Sequence, residues 1–328
     1  MKSSINLNSN LSIITKTMER IDRSLSTKVL QSLSANQIAN LKAMNAKLKQ
    51  KALVSQNDAN KENMHQQFVR EPKEHKAIRR QGHEPYLPSI LKHLRLTATR
   101  NTARSDPFDS QSEINRRMRG ILFNWLLEIQ FKFELKSRTI FLAANIFDRF
   151  LEHEQVGRDQ LQLIGITCFW IASKYEDIYP PELKELVHLC DQLYTSDDII
   201  NCETAVLAHL NFDFVFVSML DAAELTFKLR GGEDKRIDEA TRLVLHIFVF
   251  HSCTSSFGAF AVAEFARYMG MRILGMSQCD RGQLSDEQME SMESEFGVLV
   301  EAMKKDQLVA LELKFKSLFF KLLYSAFN

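Results

Sequence analysis

The sequence predicts an all-α chain: two successive groups of five helices behind a disordered, basic N-terminal tail. Three observations carry that expectation. From Met118 onward, apolar residues recur at the helical period of 3.6 in run after run. Continuous Val/Ile strands bounded by turn dipeptides are nearly absent. The first 80 residues, rich in Ser, Asn, Gln and Lys, hold no aromatic before Phe68, too little apolar surface to offset the entropy of ordering.

In chain order, Ile14, Met18, Ile21, Leu25 and Val29 share helical spacing, so a short amphipathic helix can form in the tail. Alone it buries too little to fix the tail. Residues 1–83 carry 15 Lys+Arg against 6 Asp+Glu, and the remainder carries 27 against 35. A basic tail before a mildly acidic globule suits nucleic acid or an import receptor, and suits a solvated extension equally well. Tyr86, Ile90, Leu91, His93 and Leu94 describe a short leading helix at Pro88, and a polar loop follows through Pro107. Five helical runs come next: Met118–Phe133, Arg138–Glu152, Asp159–Asp177, Pro181–Leu193 and Ser196–Leu210. Asp159 and Ser196 are N-cap residue types placed ahead of their runs.

Residues 211–217 alternate in places, but with no partner strand they read as an extended linker. Five more runs follow: Ser218–Leu229, Asp238–His251, Phe257–Leu274, Ser285–Lys304 and Leu308–Phe327. Five helices, a linker and five more suggest duplication. Gly165–Tyr175 can be laid over Gly258–Tyr268 with the glycine, the tyrosine and the cation before it in common. The resulting division is a tail over 1–83, an N-terminal helical domain over 84–212 and a C-terminal one over 213–328.

No phosphate loop, dinucleotide-binding glycine pattern, zinc-protease helix or nucleophile elbow is present, so the sequence points to no enzyme and no cofactor. His246 and His251 lie five apart, whereas ligands on one helix face stand three or four apart, so no metal site is expected. Five cysteines without a C-x-x-C pair fit a reducing intracellular compartment. No secretory h-region and no membrane-spanning apolar run is visible.

Met118, Ile121, Leu122 and Trp125 form one stripe, and Leu126 and Ile129 an overlapping second. A helix apolar around more than half its girth is either central or keeps one face for a partner; Trp125 favours the partner. Arg119 and Asp148 lie on apolar helices, where charges are seldom buried unless paired, so an inter-helix ion pair is expected. Lys174 precedes the helix-stopping Pro180-Pro181, and Glu203 stands near the start of its own helix. Both charges suit the helix dipole, so spacing alone leaves open two surface charges or a partner-binding pair.

At these residues the chain resembles the cyclin family, and within it the mitotic A/B-type group. The residues that carry the resemblance are Met118-Arg-Gly-Ile-Leu-Phe-Asn-Trp-Leu-Leu-Glu-Ile129, Ile146-Phe-Asp-Arg-Phe-Leu151, Leu161-Gln-Leu-Ile-Gly165, Ala172-Ser-Lys-Tyr-Glu-Asp-Ile-Tyr-Pro-Pro181 and the run Cys202–Phe214. They stand in family order at family spacing over about 100 residues, and Glu113-Ile-Asn-Arg-Arg-Met118 is similar to the lead-in of B-type cyclins. Departures are Asn124 for the usual aspartate, Asp177 for the second glutamate, and no proline soon after Phe214.

The resemblance implies two tandem five-helix cyclin boxes and a non-catalytic activator of a cyclin-dependent serine/threonine kinase, acting at G2/M in nucleus and cytoplasm. By it, Lys174 and Glu203 are the charged pair of the kinase-binding surface, flanked by Ile171, Asp177, Leu207, Phe212 and Phe214. Met118, Ile121, Leu122, Trp125, Glu128 and Gln162 form a docking patch for substrates or inhibitors that carry an Arg-x-Leu motif. Arg119, Asp148 and Leu163 are box-stabilising positions. Lys61-Glu62-Asn63 in the tail resembles a KEN degron read by a ubiquitin ligase, although no Arg-x-x-Leu destruction box precedes residue 85. The rival reading is a double-box transcription factor or transcriptional cyclin on nucleic acid or polymerase machinery. It needs a basic face, and the globule is net acidic, so no direct nucleic-acid contact is expected.

Overall fold

The computed structural model describes residues 86–322, apart from positions 99, 101, 104–105, 231–233, 252–256, 307–309, 313, 316–317 and 320–321. The expected disordered tail and Lys61-Glu62-Asn63 lie outside the described residues. Among the described residues ten helices run in order: α1 (Leu87–Thr97), α2 (Arg116–Lys132), α3 (Ser137–Leu151), α4 (Leu161–Glu176) and α5 (Leu183–Leu189) come first. Then follow α6 (Ser196–His209), α7 (Met219–Leu229), α8 (Lys235–His251), α9 (Ala259–Ile273) and α10 (Asp286–Asp306). Further helical residues fall between Ala310 and Leu322, and no strand occurs among the described residues.

Local chemistry sets the boundaries. Asn115 caps α2 by accepting from the Met118 backbone N–H at 3.0 Å. After α2 the chain turns through Glu134 at φ 52, and Gln130 Nε2 closes the turn on the carbonyl of Lys136 at 2.6 Å. The expected N-caps shift by one residue. Gln160 precedes α4 without a side-chain cap, while Thr195 and Asp198 form a reciprocal capping box on α6. The reason is reach: Thr195 Oγ1 stands 3.2 Å from the Asp198 N–H, leaving Ser196 inside the first turn. Pro180-Pro181 stop α4, and the Pro181 carbonyl accepts from Trp170 Nε1 at 3.0 Å, folding the stop back onto the helix it ends. In the linker, Asn211 and Phe212 adopt left-handed φ of 50 and 56, and residues 213–218 run irregularly to Ser218, which caps α7.

α2 is central. Phe123, Leu126 and Leu127 are fully buried, and Phe123 meets Phe147 of α3 edge-on at 5.6 Å. Each such side chain contributes about 2–3 kcal/mol by leaving water. α4 crosses α2 at Gly165, where an added Cβ would stand 2.6 Å from Leu122 Cδ2. α8 is buried from Leu243 to Phe250, touches α2, and packs on α9, where a Cβ added at Gly270 would stand 3.0 Å from the Thr241 backbone N. Phe248, Phe265 and Phe296 join α8, α9 and α10 through ring contacts of 5.8 and 5.9 Å. The sequence overlay of Gly165–Tyr175 on Gly258–Tyr268 matches unlike positions. Gly165 is a close-packed interior residue of α4, and Gly258 is the N-cap of α9 at φ 76. Tyr175 is exposed and Tyr268 buried.

Candidate functional site

The packing of α4 on α6 brings Lys174 and Glu203 together across 29 residues of sequence in a direct ion pair. Lys174 stands in the last turn of α4, and its Nζ also lies 3.6 Å above the Trp170 ring. Glu203 is the more enclosed partner, at 14% side-chain exposure against 37% for the lysine. A pair this open contributes little to folding by itself. Its surroundings are what distinguish it. Tyr175, Ile178, Tyr179, Phe212 and Val215 are all exposed, with Ile178 at 80% and Tyr179 at 86%. The folded chain thus presents a charged pair on the same two helices and their C-terminal extensions as five uncovered apolar side chains. Exposed apolar groups on this scale mark an association surface.

The expected flanking residues divide into two sorts. Phe212 is exposed and Leu207 half-buried. Ile171 and Phe214 are buried, so they form the floor beneath that surface, not its face; Phe214 packs edge-on against Tyr175 at 5.9 Å. Asp177 is engaged inside the fold: its carboxylate accepts from the Lys136 N–H at 3.0 Å and the Thr139 hydroxyl at 2.6 Å. It thereby caps the start of α3, a long-range contact with no signature in the local residue pattern. Tyr175, Ile178, Tyr179 and Val215 also went unassigned, although apolar residues beyond a helix end and before two prolines are a readable signal of an uncovered edge.

A second surface lies on α2. Ile121 is exposed; Met118, Trp125, Glu128 and Gln162 are half-buried; Leu122 is buried against Gly165 and underlies the patch. Burial pushes the Glu128 carboxyl up to about 7, outweighing the opposing hydrogen bond from Asn124 Nδ2 at 3.1 Å.

Arg119 and Asp148 form a buried, two-pronged pair at 2.8 and 2.7 Å. The guanidinium also donates to the Val249 carbonyl of α8 and lies 4.4 Å from the Phe123 ring centre. One side chain therefore ties α2 to both α3 and α8. Burial raises the Asp148 carboxyl, with Arg119 opposing it. Leu163 is half-buried against the core. His246 is enclosed: Nδ1 lies 2.6 Å from the Arg242 carbonyl and Nε2 2.9 Å from Lys314 Nζ, with Phe141 and Phe315 edge-on to the ring. Burial holds its pKa well below the usual value and lowers that of Lys314 to about 8. Among the described residues no three His, Cys, Asp or Glu side chains gather as metal ligands, and no helix is long and apolar enough to cross a membrane.

Residues 89–215 match the cyclin N-terminal domain family. The G2/mitotic-specific cyclin S13-7 of Glycine max is 48% identical over 107 residues, covering 33% of this chain and 42% of the relative. The G2/mitotic-specific cyclin-A of Patella vulgata is 40% identical over 128 residues, covering 39% and 30%. Cyclin-B1-2 of Arabidopsis thaliana is 36% identical over 158 residues, covering 48% and 35%. The chain thus spans less than half the length of each of these relatives. The crystal structure of a viral cyclin from herpesvirus saimiri superposes at a TM-score of 0.53 with 19% identity, covering 70% of this chain and 98% of that one, a likeness of fold. Across residues 89–215 the chain is thus similar to the cyclin N-terminal domain, and there it resembles the A- and B-type mitotic cyclins.

Proposed function

We propose that this chain is the non-catalytic regulatory subunit of a cyclin-dependent serine/threonine kinase, acting in nucleus and cytoplasm at G2/M. The observation that carries the reading is the Lys174–Glu203 pair set among the uncovered side chains of Tyr175, Ile178, Tyr179, Phe212 and Val215. A kinase helix laid on this rim finds a cation and a carboxylate for its polar groups and apolar area for the rest. Binding energy spent there holds the kinase's regulatory helix where its Lys–Glu pair can form, a population shift and not chemistry by this chain. The α2 face recruits substrates or inhibitors bearing an Arg-x-Leu motif. In the tail, Lys61-Glu62-Asn63 engages a ubiquitin ligase. No membrane and no direct nucleic-acid contact enter the scheme.

The test is a pull-down and activity assay with recombinant cyclin-dependent kinase on wild type, Lys174→Ala and Glu203→Ala. Each substitution leaves a desolvated polar partner unmatched, which costs about 2–5 kcal/mol in a buried interface, so binding should fall by more than tenfold. Wild-type binding and activation by both variants would remove the assignment.

A further inference from the structure

Asn124 stands one turn before Glu128 on α2 and makes two side-chain hydrogen bonds in opposite senses. Its Nδ2 donates to Glu128 Oε1 at 3.1 Å, and its Oδ1 accepts from the backbone N–H of Ala310 at 3.1 Å. Ala310 and Leu311 are fully buried, and Lys314, one turn on, lies beside His246 and 5.3 Å from the Phe131 ring centre. The helical residues after position 309 therefore run along the flank of α2 that carries Asn124 and Phe131. Ile121 and Glu128 lie between that flank and the Trp125 stripe.

We propose that Asn124 is a specificity-determining positioning residue: it ties back the Glu128 carboxyl and clamps the C-terminal helical segment beside it, so that this face captures a cationic side chain conditionally. The inference rests on the reading of α2 as a docking face. A carboxamide is suited to the task because it donates and accepts at once. Aspartate, usual at this position in the resembling family, can accept from Ala310 but has no proton for Glu128. It also sets a second negative charge one turn away.

Of the cations on α2 and on the helices packed against it, Lys132 lies 5.5 Å from the Phe133 ring centre, and others are engaged as follows. Lys314 is beside His246, Arg138 and Arg242 pair with Glu224, Lys174 with Glu203, Arg149 donates to the Asp213 carbonyl, and on α2 itself Arg117 pairs with Asp306 and Arg119 with Asp148. What governs Glu128 is its enclosure and Asn124, which agrees with a carboxyl pushed up to about 7. Between pH 6 and pH 8 such a group passes from mostly neutral to mostly charged.

The experiment measures binding of two labelled peptides to the full chain by fluorescence anisotropy from pH 6 to pH 8. One contains Arg-x-Leu; the other replaces the arginine with uncharged citrulline. For wild type the affinity ratio of cationic to neutral peptide should rise about tenfold across that range. Glu128→Gln should flatten it near one. Asn124→Asp should keep the ratio high at pH 6 and reduce its change to less than about threefold, because a second, ionised carboxylate faces the guanidinium. A wild-type profile in Asn124→Asp would reduce Asn124 to a structural tie and overturn the proposal. If Trp125→Ala leaves both peptides bound as before, or neither binds wild type, the docking reading itself fails, and the proposal with it.

Discussion

At the scale of single residues, α2 contributes a buried ion pair with α3 and a carboxyl raised by burial. The Arg119–Asp148 pair is enclosed on both sides, so its attraction has to offset the desolvation of two ions, and its net contribution to stability is small. Its absence is another matter. Asp148→Asn leaves a buried guanidinium facing one neutral partner and the Val249 carbonyl, and we expect a loss of about 3–5 kcal/mol in urea unfolding. The paired change Arg119→Met with Asp148→Leu should recover most of that loss. Equal losses in the single and double variants would show that the pair itself stabilises. Glu128 titrates with the opposite consequence from a salt-bridged acid. Its folded pKa of about 7 lies above the ordinary 4.5 of a glutamate, so the folded state retains a proton that the unfolded chain releases. The associated stability is complete below pH 4.5 and is lost as pH climbs through 7. Glu128→Gln, neutral throughout, should match wild type at pH 4 and exceed it by about 1–2 kcal/mol at pH 8, a figure discounted for partial exposure.

At the scale of elements, helix existence was legible in the sequence and side-chain use was not. Every helical run expected between Met118 and Lys304 is present, because a 3.6-residue apolar period survives any detail of packing. The boundaries moved where caps are set by geometry, as with Thr195 in place of Ser196. The stretch expected over 181–193 contracted to Leu183–Leu189, since Asp191 and Gln192 turn left-handed beyond Cys190. Lys174 was readable as a charge at a helix end, whereas Glu203, expected near the start of its helix, is the eighth of the fourteen residues of α6, and their meeting depends on how α4 packs on α6, which no local pattern encodes. Asp177 is the converse: a motif position whose carboxylate is drawn inward to cap α3. The C-terminal helical residues show most clearly what packing adds. They are held by Asn124 at Ala310 and by Lys314 against His246 and, at 3.5 Å, Ser137. Burial keeps His246 neutral, so its folded pKa lies below the unfolded one; that contribution is full above pH 6.5 and falls as acid forces a second cation beside Lys314. Protection of the amides from Ala310 to Leu322 against hydrogen exchange, corrected for the intrinsic rate at each pH, should therefore fall below pH 6.5, and Lys314→Ala should lower it at every pH while α8 stays protected. Uniform quickening of α8 and the C-terminal residues together would mean that the two open as one unit.

At the scale of the whole molecule, the two candidate surfaces are joined by α4. Gln162, which the resemblance assigns to the docking patch, stands at its second residue, and Lys174 in its last turn beside Glu203. At 1.5 Å per residue the twelve steps between them span about 18 Å. Gly165 seats α4 on α2, and Arg119 seats α2 on α3 and α8, so the distance between the surfaces is fixed by close packing and a buried charge. A rigid spacing of that kind suits a subunit that holds a kinase with one end of a helix and a substrate with the other, raising the local concentration of the second at the first. The surfaces should then separate under mutation. Trp125→Ala should lower phosphorylation of full-length Arg-x-Leu substrates by about tenfold, the effect of losing one anchoring aromatic, and leave a short peptide substrate phosphorylated at the wild-type rate. Lys174→Ala should lower both alike, because on the proposed function this residue binds the kinase before any substrate is present. If Trp125→Ala depresses the short peptide as much as the full-length substrate, Trp125 is core to the fold and the α2 face is not a separate site.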